Sequence, residues 1–308
     1  MPLPPATKLP LAVRKNLRDD FEANKETFEK EISDLLGTEW KIDINPLAIY
    51  PYGTDSFSKD CLGSCLKSYM EGVTWRLKYW LEKEANEAKD EINTVCFAHT
   101  ITFGVDESGK FTYGGVVVDD GSLKIVFKEG NLGVNVNDTL ETLSAALNDA
   151  PVKDGSPLSV QSRLSIARDY NPKVEEWTKK FSDMLGVPIT LNPNFEENFA
   201  VCKARSRGKK SELRDDWETI IGEMTLKYWE GAHWVMNYKK FGDDDMLQEA
   251  FTDEISKNQI EFRVAEKLKK GSGYNECFHE DGVLILQTTP ENFGTNVDQA
   301  CEGIVDIF

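Results

Sequence analysis

Apolar positions recur along the chain in two matching sets. From Val13 to Leu36 they return every three or four residues, which predicts an amphipathic helix, and Leu164 to Leu185 repeats the pattern. Gly37 and Gly186 follow directly, where a left-handed cap suits glycine. Trp40-Lys41-Ile42-Asp43-Ile44 and Pro188-Ile189-Thr190-Leu191 then alternate, as short strands do. A long helix is marked by the stripe Leu62, Leu66, Tyr69, Val73, Leu77 and Trp80, and by Leu213, Trp217, Ile220 and Met224 in the second set. Period-two runs follow: Val95, Phe97, Ile101 and Phe103 share one face, as do Ile260, Phe262 and Val264. Asp120-Gly121 and Asp281-Gly282 sit between apolar runs and predict tight hairpins. Asn135 and Asn296 are suited to cap a last helix, with Asp138 and Gln299 three residues on.

Each set therefore reads α-β-α-β-β-β-α, an α+β unit with helices on one face of a mainly antiparallel sheet. The match extends to residue identity. The run Arg14–Trp80 reappears as Arg163–Trp229, and Leu77-Lys78-Tyr79-Trp80 meets Leu226-Lys227-Tyr228-Trp229. Asn131, Gly133 and Asn135 meet Asn292, Gly294 and Asn296 at a larger spacing, so the second copy is longer. The expectation is a tandem duplication with a pseudo-two-fold arrangement. Its parts are an extended tail (1–12), a first repeat (13–150), a linker (151–162) and a second repeat (163–308), with an insertion near 230–257.

Composition narrows the function classes. With 40% hydrophobic and 29% charged residues the chain is globular, and 308 residues suffice for two independent cores. The net charge of −17 repels nucleic acid and anionic membranes, so neither is an expected partner. No apolar run reaches membrane-spanning length, and Met1-Pro2-Leu3-Pro4-Pro5 lacks a secretion-signal layout. The six cysteines do not recur at matching positions, as a shared disulfide framework would require. A reducing, cytoplasmic location and a monomeric chain are expected.

Chemistry is harder to place. Phosphate loop, zinc-protease, nucleophile-elbow, paired-cysteine and EF-hand motifs are all missing, and a count of only three histidines weighs against a multi-histidine metal centre. No cofactor and no metal are expected. Positions where the copies differ are the candidates. His99 falls opposite Ile260 and His279 opposite Val118, each an imidazole where the other copy is aliphatic. With Cys277 two residues from His279, these three are the candidate catalytic groups. Lys203, Arg205, Arg207, Lys209 and Lys210 form a basic run just before a predicted helix start, where an anion or small molecule could bind. His233 and Trp234, in the expected insertion, complete the ligand-binding candidates, and Asp243-Asp244-Asp245 reads as a helix cap. The leading expectation is a non-catalytic ligand- or partner-binding protein. The alternatives are a small-molecule hydrolase or isomerase with a histidine acid–base in an interdomain cleft, or an interaction protein for a basic partner.

Overall fold

The computed structural model describes residues 2–84, 87–150, 155–207, 213–271 and 273–308. The chain divides into two compact units, Met1–Gly155 and Ser156–Phe308.

In the first unit the tail is extended but tied down: the Leu3 N–H donates to the Tyr52 hydroxyl and the Ala6 N–H to the Leu47 carbonyl. Helix α1 (Leu11–Asn16) runs through a π-helical stretch (Leu17–Glu22) into α2 (Ala23–Leu36), which stops at Gly37 with φ +75°. Strand β1 (Lys41–Asp43), the short α3 (Pro46–Ile49), the long α4 (Leu62–Glu84) and α5 (Glu87–Val95) follow. Next come β2 (Thr100–Val105), β3 (Gly114–Asp119), β4 (Ser122–Phe127), a 3-10 stretch (Val136–Thr142) and α6 (Leu143–Asp149). The second unit repeats much of this order. It has α7 (Val160–Ser165), a π-helical stretch (Ile166–Tyr170), α8 (Val174–Leu185), β5 (Thr190–Asn192), α9 (Phe195–Ser206), α10 (Trp217–Tyr238) and α11 (Asp245–Glu254). Strands β6 (Gln259–Val264), β7 (Asn275–Glu280) and β8 (Val283–Thr288) close it, with only 3-10 turns after them among the described residues.

The fold is mixed α+β, and several expectations need correcting. Each sheet has the order β1-β2-β4-β3 or β5-β6-β8-β7, and two of its three pairings are parallel. The mainly antiparallel sheet is therefore wrong. Parallel neighbours need long crossovers, which α3 to α5 and α9 to α11 supply between the first two strands of each sheet; an alternating pattern cannot tell the two pairings apart. The α-β-α-β-β-β-α order misses α3 and α5 in the first unit and α9 and α11 in the second. The expected last helix forms only in the first unit, and Asn135 and Asn296 lie in the left-handed region without capping through their side chains. The linker is shorter than expected, since α7 begins at Val160 with Ser159 as its cap; residues 151–154 lie outside the described residues.

Other readings hold at residue level. The turns Asp120-Gly121 and Asp281-Gly282 join β3 to β4 and β7 to β8, with positive φ at all four residues. That is the twist-matched two-residue hairpin turn, open to Asp and Gly at little cost. Asp244 caps α11 by accepting from the Met246 and Leu247 N–H groups. The outer strands β1 and β5 are only three residues long.

The two central helices, α4 and α10, pack in the same way. A Cβ on Gly63 would lie 2.4 Å from the Asn16 carbonyl oxygen, and one on Gly222 would lie 2.4 Å from that of Ser165. Nine residues on, a Cβ on Gly72 would lie 2.9 Å from the Val136 carbonyl oxygen, and one on Gly231 would lie 2.6 Å from that of Val297. The Tyr69 hydroxyl accepts from the Gly133 N–H, and the Tyr228 hydroxyl from the Gly294 N–H. Tyr69 stacks edge-on against Phe103 of β2, and Tyr228 lies on Phe262 of β6. So Gly63, Tyr69 and Gly72 sit where the second unit has Gly222, Tyr228 and Gly231.

This register corrects two expectations. Leu77-Lys78-Tyr79-Trp80 does not occupy the place of Leu226-Lys227-Tyr228-Trp229: Tyr79 is exposed, whereas Tyr228 and Trp229 are fully buried. The identity of the two tetrapeptides is not an identity of position. Nor is there an insertion near 230–257, because α10 and α11 follow one another as α4 and α5 do. The extra length precedes α10, where twelve-residue α9 stands in place of four-residue α3.

Candidate functional site

The three candidate catalytic residues are divided between the units, His99 in the first and Cys277 and His279 in the second. His99 is not on a strand face opposite Ile260. It lies one residue before β2 with φ +47°, its N–H bonded to the Cys96 carbonyl and its carbonyl accepting from Lys41. Asn258 makes the same turn before β6, with φ +50° and the corresponding bonds to Ile255 and Thr190. Asn and His are among the few residues that tolerate this conformation, and the His99 ring rests 5.7 Å from that of Trp40. His279, near the end of β7, is exposed, with Nδ1 3.7 Å from a Glu254 carboxylate oxygen. Cys277 is buried on the same strand. Nothing in this arrangement places a base against a nucleophile.

The described part of the basic run belongs to the end of a helix. Lys203 and Arg205 lie in the last turn of α9 and Arg207 follows it, where positive charge offsets the negative end of the helix. Lys203 Nζ lies 5.0 Å from the Phe199 ring centre, and Arg205 is ion-paired with Glu291. Arg205 edges an open cleft of about 590 Å³ with Glu266, Lys267 and Glu291, a mixed-charge lining rather than an anion site. Lys209 and Lys210 lie outside the described residues.

His233 is half-buried on α10. Its ring meets Trp177 at 5.7 Å and Phe181 at 5.3 Å, both on α8. Burial holds this imidazole below its ordinary 6.5, and the nearby Lys180 charge acts in the same direction. Protonation then favours the unfolded chain. The neutral ring's contribution is complete above that value and is lost as pH falls below it. His233→Gln is expected to flatten the loss of stability between about pH 7 and pH 5, read by denaturant titration; an unchanged slope would acquit His233.

Trp234 leads to the feature that the sequence comparison missed. It stacks on Tyr238, one helical turn further along α10, with ring centres 5.8 Å apart and planes 12° apart. In the first unit Trp75 stacks on Tyr79 at the corresponding place on α4, at 6.3 Å and 14°. All four side chains are open to solvent: Trp75 58%, Tyr79 57%, Trp234 59% and Tyr238 69% exposed. An i,i+4 pair adds only about 0.2–0.5 kcal/mol to a helix, a small return for exposing two large aromatic side chains. Beside Trp75 lies a groove of about 460 Å³ edged by Glu71, Arg76, Asn137 and Asp138. The Arg76 guanidinium lies 4.8 Å from the Trp75 ring centre and is held by Asp138 at 3.0 Å and Glu141 at 2.7 Å. In the second unit the position after the tryptophan is Val235, which is buried. The available signal was Trp-x-x-x-Tyr in both halves, out of register with the Leu-Lys-Tyr-Trp match.

Compared with known proteins, the chain matches no family model, no curated protein and no solved structure. No described group of three or more His, Cys, Asp or Glu residues could hold a metal ion. Among the described residues no helix is long and apolar enough to cross a membrane.

Proposed function

We propose that this chain is a non-catalytic, cytoplasmic binding protein descended from a duplicated unit, and that each unit offers an exposed Trp–Tyr pair to a basic protein segment. The observation that carries the reading is the recurrence of the stacked, solvent-exposed pair at one place on α4 and α10. Duplication is supported by the shared strand order, the shared glycine contacts and the shared Tyr-to-Gly hydrogen bond. Six unpaired cysteines support a reducing compartment.

Charge selects the partner. A surface carrying −17 attracts a basic segment at long range. At short range an aromatic face holds an ammonium or guanidinium by its quadrupole, and Arg76 over Trp75 shows the geometry inside this chain. Aromatic side chains are also the commonest anchors of protein interfaces.

The test is binding of a lysine- and arginine-rich peptide to the full chain, followed by tryptophan fluorescence. Affinity is expected to fall with salt. It should fall about tenfold or more in Trp75→Ala/Tyr79→Ala or Trp234→Ala/Tyr238→Ala, with the melting temperature nearly unchanged. Equal binding of an acidic peptide, or full affinity in both double variants, would refute the reading.

A further inference from the structure

The parallel strands of each sheet end at a crevice, and the two crevices share a frame. β2 ends at Val105 and β6 at Val264. The next N–H, of Asp106 or Ala265, donates to the carbonyl of the last residue of the neighbouring strand, Phe127 of β4 or Thr288 of β8. Two residues past these strand ends stand Glu107 and Glu129 in the first unit, and Glu266 and Pro290 in the second; each pair edges its crevice. In open sheets ligands settle at this end of parallel strands, where the connections diverge.

The third wall differs. In the first unit it is Tyr52, together with Pro2 of the N-terminal tail. The tail lies extended there, its Leu3 N–H donating to the Tyr52 hydroxyl at 2.7 Å and its Ala6 N–H to the Leu47 carbonyl at 2.9 Å. Pro2, Pro4 and Pro5 have no N–H to satisfy, so a few bonds seat the segment. About 270 Å³ stays open beside it. In the second unit α9 supplies the wall through Ala200, Val201 and Ala204, neighbours on one helical face. These short side chains leave about 590 Å³ open, rimmed by the Arg205–Glu291 ion pair, Glu266 and Lys267.

We propose that the crevice of the second unit binds an extended, proline-rich segment of another protein, at the place where the first unit seats its own tail. Such a segment is extended before it binds, so little conformational entropy is lost. Ala200, Val201, Ala204 and Pro290 offer apolar surface to its rings. Arg205 and Lys267 supply donors for the carbonyls that a proline-rich chain leaves free. The site does not depend on the aromatic pairs, and its ligand needs no basic residue.

The probe is the peptide Met1-Pro2-Leu3-Pro4-Pro5-Ala6-Thr7, acetylated and amidated, titrated into the full-length chain by calorimetry. Without a charged group it is expected to bind at one site with almost no salt dependence, unlike a basic peptide. The tethered tail outcompetes free peptide in the first unit, so the heat reports the second. Ala204→Trp, at an exposed position of α9, should fill the crevice and weaken binding about tenfold or more, with the melting temperature unchanged. A photoreactive side chain at Ala200 should cross-link to the peptide, a readout that needs no change at Ala204. The proposal is wrong if the peptide neither binds nor cross-links, or if Ala204→Trp binds it with full affinity. It is equally wrong if a peptide with alanine for each proline binds as tightly, or if position 200 cross-links instead to residues 151–154 of the same chain.

Discussion

Replacing Asn198 with leucine is expected to destabilise the second unit by about 3–5 kcal/mol, more than any surface change in the chain. Asn198 lies in the first turn of α9 and is buried. Its side-chain oxygen accepts from the Val264 N–H at 2.6 Å, and its amide donates to the carbonyls of Pro193 at 2.9 Å and Phe262 at 3.0 Å. One amide thus serves the end of β6 and the turn that launches α9. Leucine preserves the volume but leaves a buried N–H and two carbonyls short of a partner, each at a cost of about 1–3 kcal/mol. Urea unfolding monitored by tryptophan fluorescence would measure the loss, and a penalty under about 1 kcal/mol would mean that the three groups find other partners.

The second large effect lies at the helix crossing. Gly222→Ala would place a methyl group 2.4 Å from the Ser165 carbonyl oxygen and 3.0 Å from the Ile166 Cα. Both are backbone atoms and cannot rotate away. The N–H of the same glycine donates to the Ser165 hydroxyl at 3.0 Å, so the added carbon also strains a buried bond. Overpacking of a well-filled core costs about 1–3 kcal/mol, and a collision with backbone belongs at the top of that range. Gly63→Ala should behave alike in the first unit, where the Gly63 N–H donates to the Asn16 side chain at 2.7 Å. Melting of the two variants would show it; a neutral outcome in either would mean that α4 or α10 shifts freely on its neighbour.

How much could be read in the sequence follows from which signals are local. The helix ends at Gly37 and Gly186 and the Asp-Gly hairpins were legible, because backbone conformation there depends on one or two residues. Strand direction was not, since β1 and β2 are joined only through distant helices. The register of α4 against α10 was misread because four identical letters outweighed the spacing of two glycines. Gly63 and Gly72, like Gly222 and Gly231, mark where backbone passes backbone, and that constraint fixes position more firmly than a surface tetrapeptide can. The exposed aromatic pairs were lost in the same slip. Only Trp234 was singled out, and its stacking partner Tyr238 was not. His99 illustrates the opposite error: an imidazole in a left-handed turn was read as an imidazole on a strand.

The brevity of the outer strands bears on how this chain meets other chains. Three residues, as in β1 and β5, present too few free backbone groups to template an incoming strand. On the opposite side of the first sheet the Val116 N–H of β3 is already taken by the Thr142 hydroxyl. Growth of that sheet by adding a neighbour is thereby discouraged from both margins, which guards against fibrous self-association and leaves recruitment to side chains rather than to main-chain ladders.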